Sequence, residues 1–215
     1  MIDLYFWNTP NGYKPLVLLE EANIAYQLHP VNIGTEQQFL SEFLKISPNN
    51  KIPAITDSSV EVEGRPLRLF ESGAILLYLA EKSGQLLAHD ISRRAETLQW
   101  LFWQMGGVGP MFGQNFHFSL SAPQQIDYAI NRFVDETDRL LSILDWRLND
   151  RDFVAHHYSI ADIALYPWVT EHPSLSVDIN NYPNVVRWLD LVSQRPAVKR
   201  AYQIGQQVRA DATAA

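Results

Sequence analysis

The sequence has 215 residues, 47% apolar and 19% charged, with six Trp, nine Tyr and ten Phe; a chain of this size buries roughly 70% of its unfolded surface, which excludes disorder and makes stapling by disulfide or metal unnecessary. Seventeen basic residues against 24 acidic ones leave a net charge of −7, and the basic residues are scattered, which disfavours nucleic acid or an acidic membrane as partner. With no cysteine at all, disulfides, thiolate metal sites and a cysteine nucleophile are excluded, so any sulfur chemistry needs a thiol that arrives with a ligand.

The chain starts with a short apolar run, Ile2–Trp7, which has no basic lead as a signal peptide would. Turn-forming residues Asn8-Thr9-Pro10-Asn11-Gly12 follow, and Leu16, Leu19 and Ala22 then recur at helical spacing from Lys14 to Asn23, with Pro15 tolerable only in a first turn. Tyr26–Ile33 reads as a second strand, and Phe39, Phe43, Leu44 and Ile46 as a short irregular helix that must end before Pro48. Two further strands, Ile52–Thr56 and Leu67–Phe70, are separated by a polar connection containing Gly64, and Glu71-Ser72-Gly73 opens an apolar helix through Ala80. The order βαβαββα fits a central sheet covered by helices.

Alternation of strand and helix stops near Gly84, and residues 85–91 read as a linker. From Ser92 onward the spacing is helical: Arg93–Met105, Asp127–Leu148 with an Asp135–Arg139 pair, a helix from Ser159-Ile160-Ala161-Asp162 with its Ser-x-x-Asp cap, Asn184–Ser193 and Ala197–Val208. The tail from Ala210 reads as frayed. Gly106-Gly107-Val108-Gly109-Pro110 lacks a preceding strand and reads as a kink or close helix contact, not a phosphate loop. His156-His157 reads as a loop pair without metal-ligand spacing. No apolar run approaches the roughly 20 residues that span a bilayer, so the chain reads as soluble and cytoplasmic.

This order, Ile52-Pro53 ahead of a strand, Glu71-Ser72 at a helix start and the Ser159–Asp162 cap together resemble the cytosolic glutathione transferase superfamily. Thr9-Pro10-Asn11-Gly12, Ile46–Ile55 and Leu98–Gln104 are similar to its bacterial nu class, whose members are glutathione-dependent disulfide-bond reductases and weak conjugating enzymes. The resemblance implies an α/β thioredoxin-like domain (residues 1–84, a mixed four-stranded sheet) that binds glutathione, a linker at 85–91 and an all-helical domain at 92–215. It also implies a homodimer, reduced or oxidised glutathione as cosubstrate without a metal, and organic hydroperoxide reduction as a further activity. Trp7 and Tyr13 depart from the usual class residues and suggest an aromatic second-substrate pocket.

A free thiol is only a few per cent thiolate at neutral pH, so donors aimed at sulfur are needed to activate it. By spacing alone Thr9-Pro10-Asn11-Gly12 is a tight turn; with the resemblance, Thr9 and Asn11 become the thiolate-activating residues. Ile52, before a cis Pro53, would pair its backbone with the extended peptide. Ser72 and the helix N–H groups would bind the γ-glutamyl carboxylate while Glu71 accepts from its ammonium, although a Ser N-cap alone gives the same pattern. Carried over likewise are Gln38 and Lys51 for the glycyl end, and Arg132 for a ligand carboxylate, in its own or a partner subunit. A conventional transferase acting on apolar electrophiles and a non-catalytic scaffold are the alternatives.

Overall fold

The computed structural model describes residues 1–214. Contacts group the chain into two compact units: Met1–Gln85 with the segment from Arg195 onward, and Leu86–Gln194.

In the first unit, β1 (Ile2–Phe6) buries Ile2, Leu4 and Phe6 on one face by simple alternation. It pairs in parallel with β2 (Tyr26–Pro30) and antiparallel with β3 (Ala54–Val62), which pairs antiparallel with β4 (Arg65–Phe70), giving the order β2-β1-β3-β4. Helix α1 (Pro10–Glu21) supplies the crossover that a parallel pair requires. It begins four residues earlier than the sequence suggests: the apparent turn is an N-cap, Thr9, followed by Pro10 at a position where a missing N–H costs nothing. Pro15 therefore sits beyond the first turn. The short irregular helix resolves into two 3-10 turns, Ile33–Thr35 and Gln37–Phe39, and the single turn α2 (Ser41–Leu44). The polar connection around Gly64 is instead a hairpin. Val60 and Val62 extend β3, and Glu63 and Gly64, at φ 52° and 73°, form the two-residue turn that closes it.

Helix α3 (Ser72–Ser83) lies against α1, and its Leu76 and Leu79 join Leu16 and Leu19 of α1 in the core. Asp57, fully buried in β3, accepts hydrogen bonds from Tyr78 (2.6 Å), Ser59 N (2.9 Å) and Ser59 Oγ (2.7 Å) and pairs with Lys82 (2.8 Å), tying α3 to the sheet.

The last helix, α9 (Pro196–Ala214), departs from the expected division at 92–215: it packs on α1 within the first unit and carries regular helix through the tail that composition marks as frayed. The cause is a matched surface. Tyr202 stacks on Tyr13 at 4.1 Å and 5°, Arg195 grips Glu21 through two bonds of 2.6 and 2.9 Å, and Arg200 bonds Glu20 at 2.8 Å.

The second unit is helical: α4 (Ile91–Trp103), α5 (Gly109–Phe116), α6 (Asp127–Arg147), α7 (Ile160–Val169) and α8 (Pro183–Ser193). The glycine-rich stretch is a π-helical turn, Gln104–Val108, that joins α4 to α5 without a break. Leu140, Leu141 and Leu144 of α6 share the core with Phe112, Ile163 and Trp188. The Ser159–Asp162 capping box is present, and Asp162 also accepts from Val154 N and Trp188 Nε1, both at 3.0 Å. Arg139 turns to Glu136 (2.7 and 2.8 Å), three residues back, in place of the Asp135 pairing read from sequence. Among the described residues no helix is long and apolar enough to cross a membrane.

Candidate functional site

Strand register brings distant segments to one end of the sheet. Phe6 lies opposite Pro30, Tyr5 opposite Ala54, and Ala54 opposite Phe70. The chain that follows β1 (Thr9, Asn11), the chain that follows β2 (Gln38), the chain that enters β3 (Lys51, Ile52, Pro53) and the chain that leaves β4 (Glu71, Ser72) therefore all gather there. The eight candidates of the first unit share this end, while Arg132 belongs to the second unit.

Thr9 caps α1 in extended conformation, its Oγ1 accepting from Gly12 N at 3.2 Å. A hydroxyl has one hydrogen to give, and among the described residues nothing accepts it. Gly12 makes the tight entry possible: a Cβ there would lie 2.1 Å from the Trp7 carbonyl oxygen. Asn11, half-buried, stands in the first turn, where exposed N–H groups and the helix dipole favour an anion.

The Ile52-Pro53 peptide is cis. Ile52 packs against the Val31–Phe43–Ala54 cluster, and among the described residues its backbone N–H and carbonyl have no hydrogen-bond partner. Both remain available to an extended ligand.

Glu71 caps α3 at φ 71° and ψ 112°. This left-handed backbone is strained for a residue with a side chain and marks a site where the surroundings enforce geometry. Glu71 is exposed and Ser72 is buried at 4%, which leaves the carboxylate at the surface and the hydroxyl at the floor of the helix start.

Beneath them lies a residue that the sequence reading took only as the start of a helix. Lys14 is 1% exposed, and its Nζ donates to Ser72 Oγ at 3.4 Å. Burial pushes its ammonium down to about 7 against the opposing pull of the Glu71 charge. The available signal is periodicity: Lys14 precedes the buried Val17 and Leu18 by three and four residues and so shares their stripe.

Gln38, half-buried on a 3-10 turn, has a buried carbonyl oxygen with no partner. Lys51 is exposed, and its carbonyl accepts from the buried Ser47 hydroxyl at 2.8 Å. Arg132, exposed on α6, borders a cavity of about 580 Å³ whose lining includes Tyr128, Glu136 and Arg139. Tyr13 does not line an open pocket: it is 6% exposed and packed on Tyr202, because α9 covers it. His156-His157 lies in a loop, and among the described residues no group of three His, Asp or Glu side chains could hold a metal.

Two family models match the chain: glutathione S-transferase, N-terminal domain, over residues 2–81, and glutathione S-transferase, C-terminal domain, over residues 110–196. The chain is 54% identical over 202 residues to the disulfide-bond oxidoreductase YfcG of Escherichia coli strain K12, covering 94% of each. It is 43% identical over 214 residues to the disulfide-bond oxidoreductase YghU of the same strain, covering 93% of this chain and 73% of that one. A glutathione transferase from Pseudomonas putida, crystallised with one glutathione disulfide per subunit, matches at TM-score 0.88 and 46% identity over 93% of this chain and 90% of its own. A family member from Pseudomonas fluorescens Pf-5 with two glutathione bound matches at TM-score 0.88 and 47% identity over 93% and 91%.

Proposed function

Because the chain belongs to the glutathione S-transferase family, we propose that it reduces small disulfides with glutathione bound at the sheet end formed by Thr9, Asn11, Ile52 and Glu71-Ser72. The observation that carries this reading is the conjunction of no cysteine with a Thr9 hydroxyl whose hydrogen is left to give at the positive end of α1. A protein without a thiol forms no mixed disulfide of its own and acts on sulfur only by activating a thiol it binds.

The residues fit that task. A hydrogen bond to a charged group is worth roughly 1.5–3 kcal/mol, enough to lower a thiol by about 1–2 pKa units from its free value near 8.5. Thr9 Oγ1–H and the Asn11 amide are the donors for sulfur. The unpartnered Ile52 backbone holds the cysteinyl residue in extended pairing. Ser72 and the first N–H groups of α3 take the γ-glutamyl carboxylate, and Glu71 takes its ammonium. Gln38 and Lys51 serve the glycyl end, where the lone buried oxygen of Gln38 is a polar atom in want of a partner. Glutathione supplies the chemistry: the thiols of two glutathione molecules are oxidised to one disulfide, by way of a mixed disulfide between the first and the substrate, while the substrate disulfide is reduced to two thiols. The reading extends to organic hydroperoxides and to a homodimer, for which the exposed Phe102 and Tyr128 offer apolar surface, with Arg132 assigned to a ligand carboxylate.

The test runs two assays side by side: reduction of a small model disulfide by glutathione, coupled to NADPH oxidation, and conjugation of an aryl halide. Fast reduction with slow conjugation is expected, together with loss of reduction in the Thr9→Ala, Asn11→Ala double variant. The reverse rates would make the protein a conjugating transferase, and silence in both would make it a scaffold.

A further inference from the structure

We propose that Asn8 is a positioning residue for Thr9: by tying the turn between β1 and α1 to the last helix, α9, it fixes where the Thr9 hydroxyl stands and so how well that hydroxyl activates a bound thiol. The inference rests on the assignment of Thr9 as a donor to sulfur and adds to it a residue, and a helix, that act through Thr9 alone.

The turn itself is slight. Thr9 N donates to the Trp7 carbonyl at 2.8 Å, a bond from one residue to the next but one, which closes a three-residue turn with Asn8 at its centre. One side of this turn is fixed by the entry to α1, where Thr9 Oγ1 accepts from Gly12 N and Gly12 passes so close to the Trp7 carbonyl that no Cβ fits. The other side is fixed from the far end of the chain. Asn8 Nδ2 donates to the Gly205 carbonyl of α9 at 3.3 Å, across 197 residues; a helical carbonyl has a second lone pair for such a donor.

Around that bond α9 is closely seated. Tyr202 stacks on Tyr13, and the Tyr13 ring meets Phe6, the last residue of β1, edge-on at 5.7 Å and 75°. Gly205 leaves no room for a Cβ beside the Tyr13 hydroxyl, so glycine there lets the α9 backbone come within reach of a side chain as short as asparagine. Strand end, turn and first helical turn are thus braced together by one remote helix. The consequence is chemical. Hydrogen bonds weaken steeply when misaligned, and a displacement of about 1 Å near reacting atoms can cost about a hundredfold in rate. With Asn8 anchored, the Thr9 hydroxyl meets sulfur at a fixed place. With the anchor removed, the turn shifts, the same hydroxyl donates less well, and the bound thiol titrates closer to its free value.

Titration of glutathione bound to the full chain, followed by the difference absorbance of the thiolate and set beside disulfide-reduction kinetics, reads this directly. Asn8→Ala should raise the bound thiol by about half a pKa unit or more and lower kcat/KM about three- to tenfold, with kcat changed more than the KM for glutathione. Asn8→Gln, which keeps the amide donor, should recover part of both. Tyr202→Leu, which loosens α9 without altering the turn, should move the thiol in the same direction. Arg200→Ala, which releases α9 only from Glu20, should lower the melting temperature and leave the thiol where it is. In a Thr9→Ala background, Asn8→Ala should have no further effect on the thiol, because it acts through that hydroxyl. Wild-type titration and kinetics in Asn8→Ala would overturn the proposal, as would a shift that persists undiminished in Thr9→Ala or that Arg200→Ala reproduces at equal loss of stability. If Asn8→Ala does not fold, an unshifted thiol in Tyr202→Leu overturns it instead. A wild type that binds no glutathione, or binds it without lowering its thiol, would overturn the role given to Thr9 itself; a lowered thiol indifferent to Asn8 would leave that role standing and remove only the anchor.

Discussion

Thr9 Oγ1 accepts the Gly12 N–H, so under the proposed function its substitution would mix loss of a helix cap with loss of a donor to sulfur. Serine separates the two. Thr9→Ser should keep both melting temperature and disulfide turnover, whereas Thr9→Ala should cost about 1 kcal/mol of stability and, beyond that, lower kcat/KM by roughly ten- to a hundredfold through loss of the thiolate donor. Steady-state kinetics beside thermal melts distinguish the effects. Two buried aspartates invite a second comparison. Burial alone would raise Asp57, but Lys82, Tyr78 and Ser59 more than offset it and hold the carboxyl well below its ordinary value. Burial pushes Asp162 up to about 6 despite donors from Val154, Trp188 and Ser159. The signs are opposite: stability from Asp57 is present above about pH 4 and lost in acid, while that from Asp162 is full below about pH 4 and lost as pH rises through about 6. Asp57→Asn should flatten the acid limb of a stability–pH curve, and Asp162→Asn should flatten the limb between pH 4 and 6. Asp162→Ala should cost about 3 kcal/mol or more, because several buried donors lose their acceptor together, against about 1 kcal/mol for Ser159→Ala.

Among the elements, α1 and α9 make the clearest case for packing over local preference. The helix is bound to α1 through Tyr202, the two arginine–glutamate pairs and the close passage of Gly205, and the exposed residues 209–213 continue it past Val208. A Cβ on Gly205 would lie 2.4 Å from the Tyr13 hydroxyl oxygen. Gly205→Ala should therefore destabilise the protein by about 1–3 kcal/mol, as overpacking does, even though alanine favours a helix; denaturant unfolding decides it, and a stabilised variant would mean that Tyr13 moves aside freely. The Glu21–Arg195 contact is bidentate, and a double-mutant cycle on it should return a coupling of about 1 kcal/mol or more.

At the scale of the whole molecule, the absence of cysteine makes a prediction that needs no variant. Pretreatment with iodoacetamide, followed by its removal, should leave no thiol adduct by mass spectrometry and should leave disulfide reduction by added glutathione unchanged. An enzyme inactivated by this treatment would owe its activity to another nucleophile. Incubation with glutathione disulfide should likewise yield a complex that dissociates fully on denaturation, since a chain without sulfhydryls retains no mixed disulfide.

Much of this was legible in the chain. The strand–helix order, the Ser159–Asp162 box and the sharp turn chemistry of Thr9 to Gly12 are local signals, set by periodicity and by which backbone groups a side chain can cap. The missing cysteine is a fact of composition that no fold alters. Other features depend on partners remote in sequence. Glu63-Gly64 became a hairpin because β3 and β4 pair beyond the residues that look like strand, Tyr13 became core because α9 returns to cover it, and Arg195 onward joined the first unit because its contacts lie on α1. The meeting of Thr9, Ile52 and Ser72 at one sheet end follows from strand register, and the burial of Lys14 behind Ser72 follows from the packing of α3 on α1. The sequence by itself determined the elements and the kind of chemistry, because those depend on neighbours a few residues apart; which side chains share a site, and which charge lies buried beneath it, only the tertiary structure decided, because long-range packing alone sets distance and removes water.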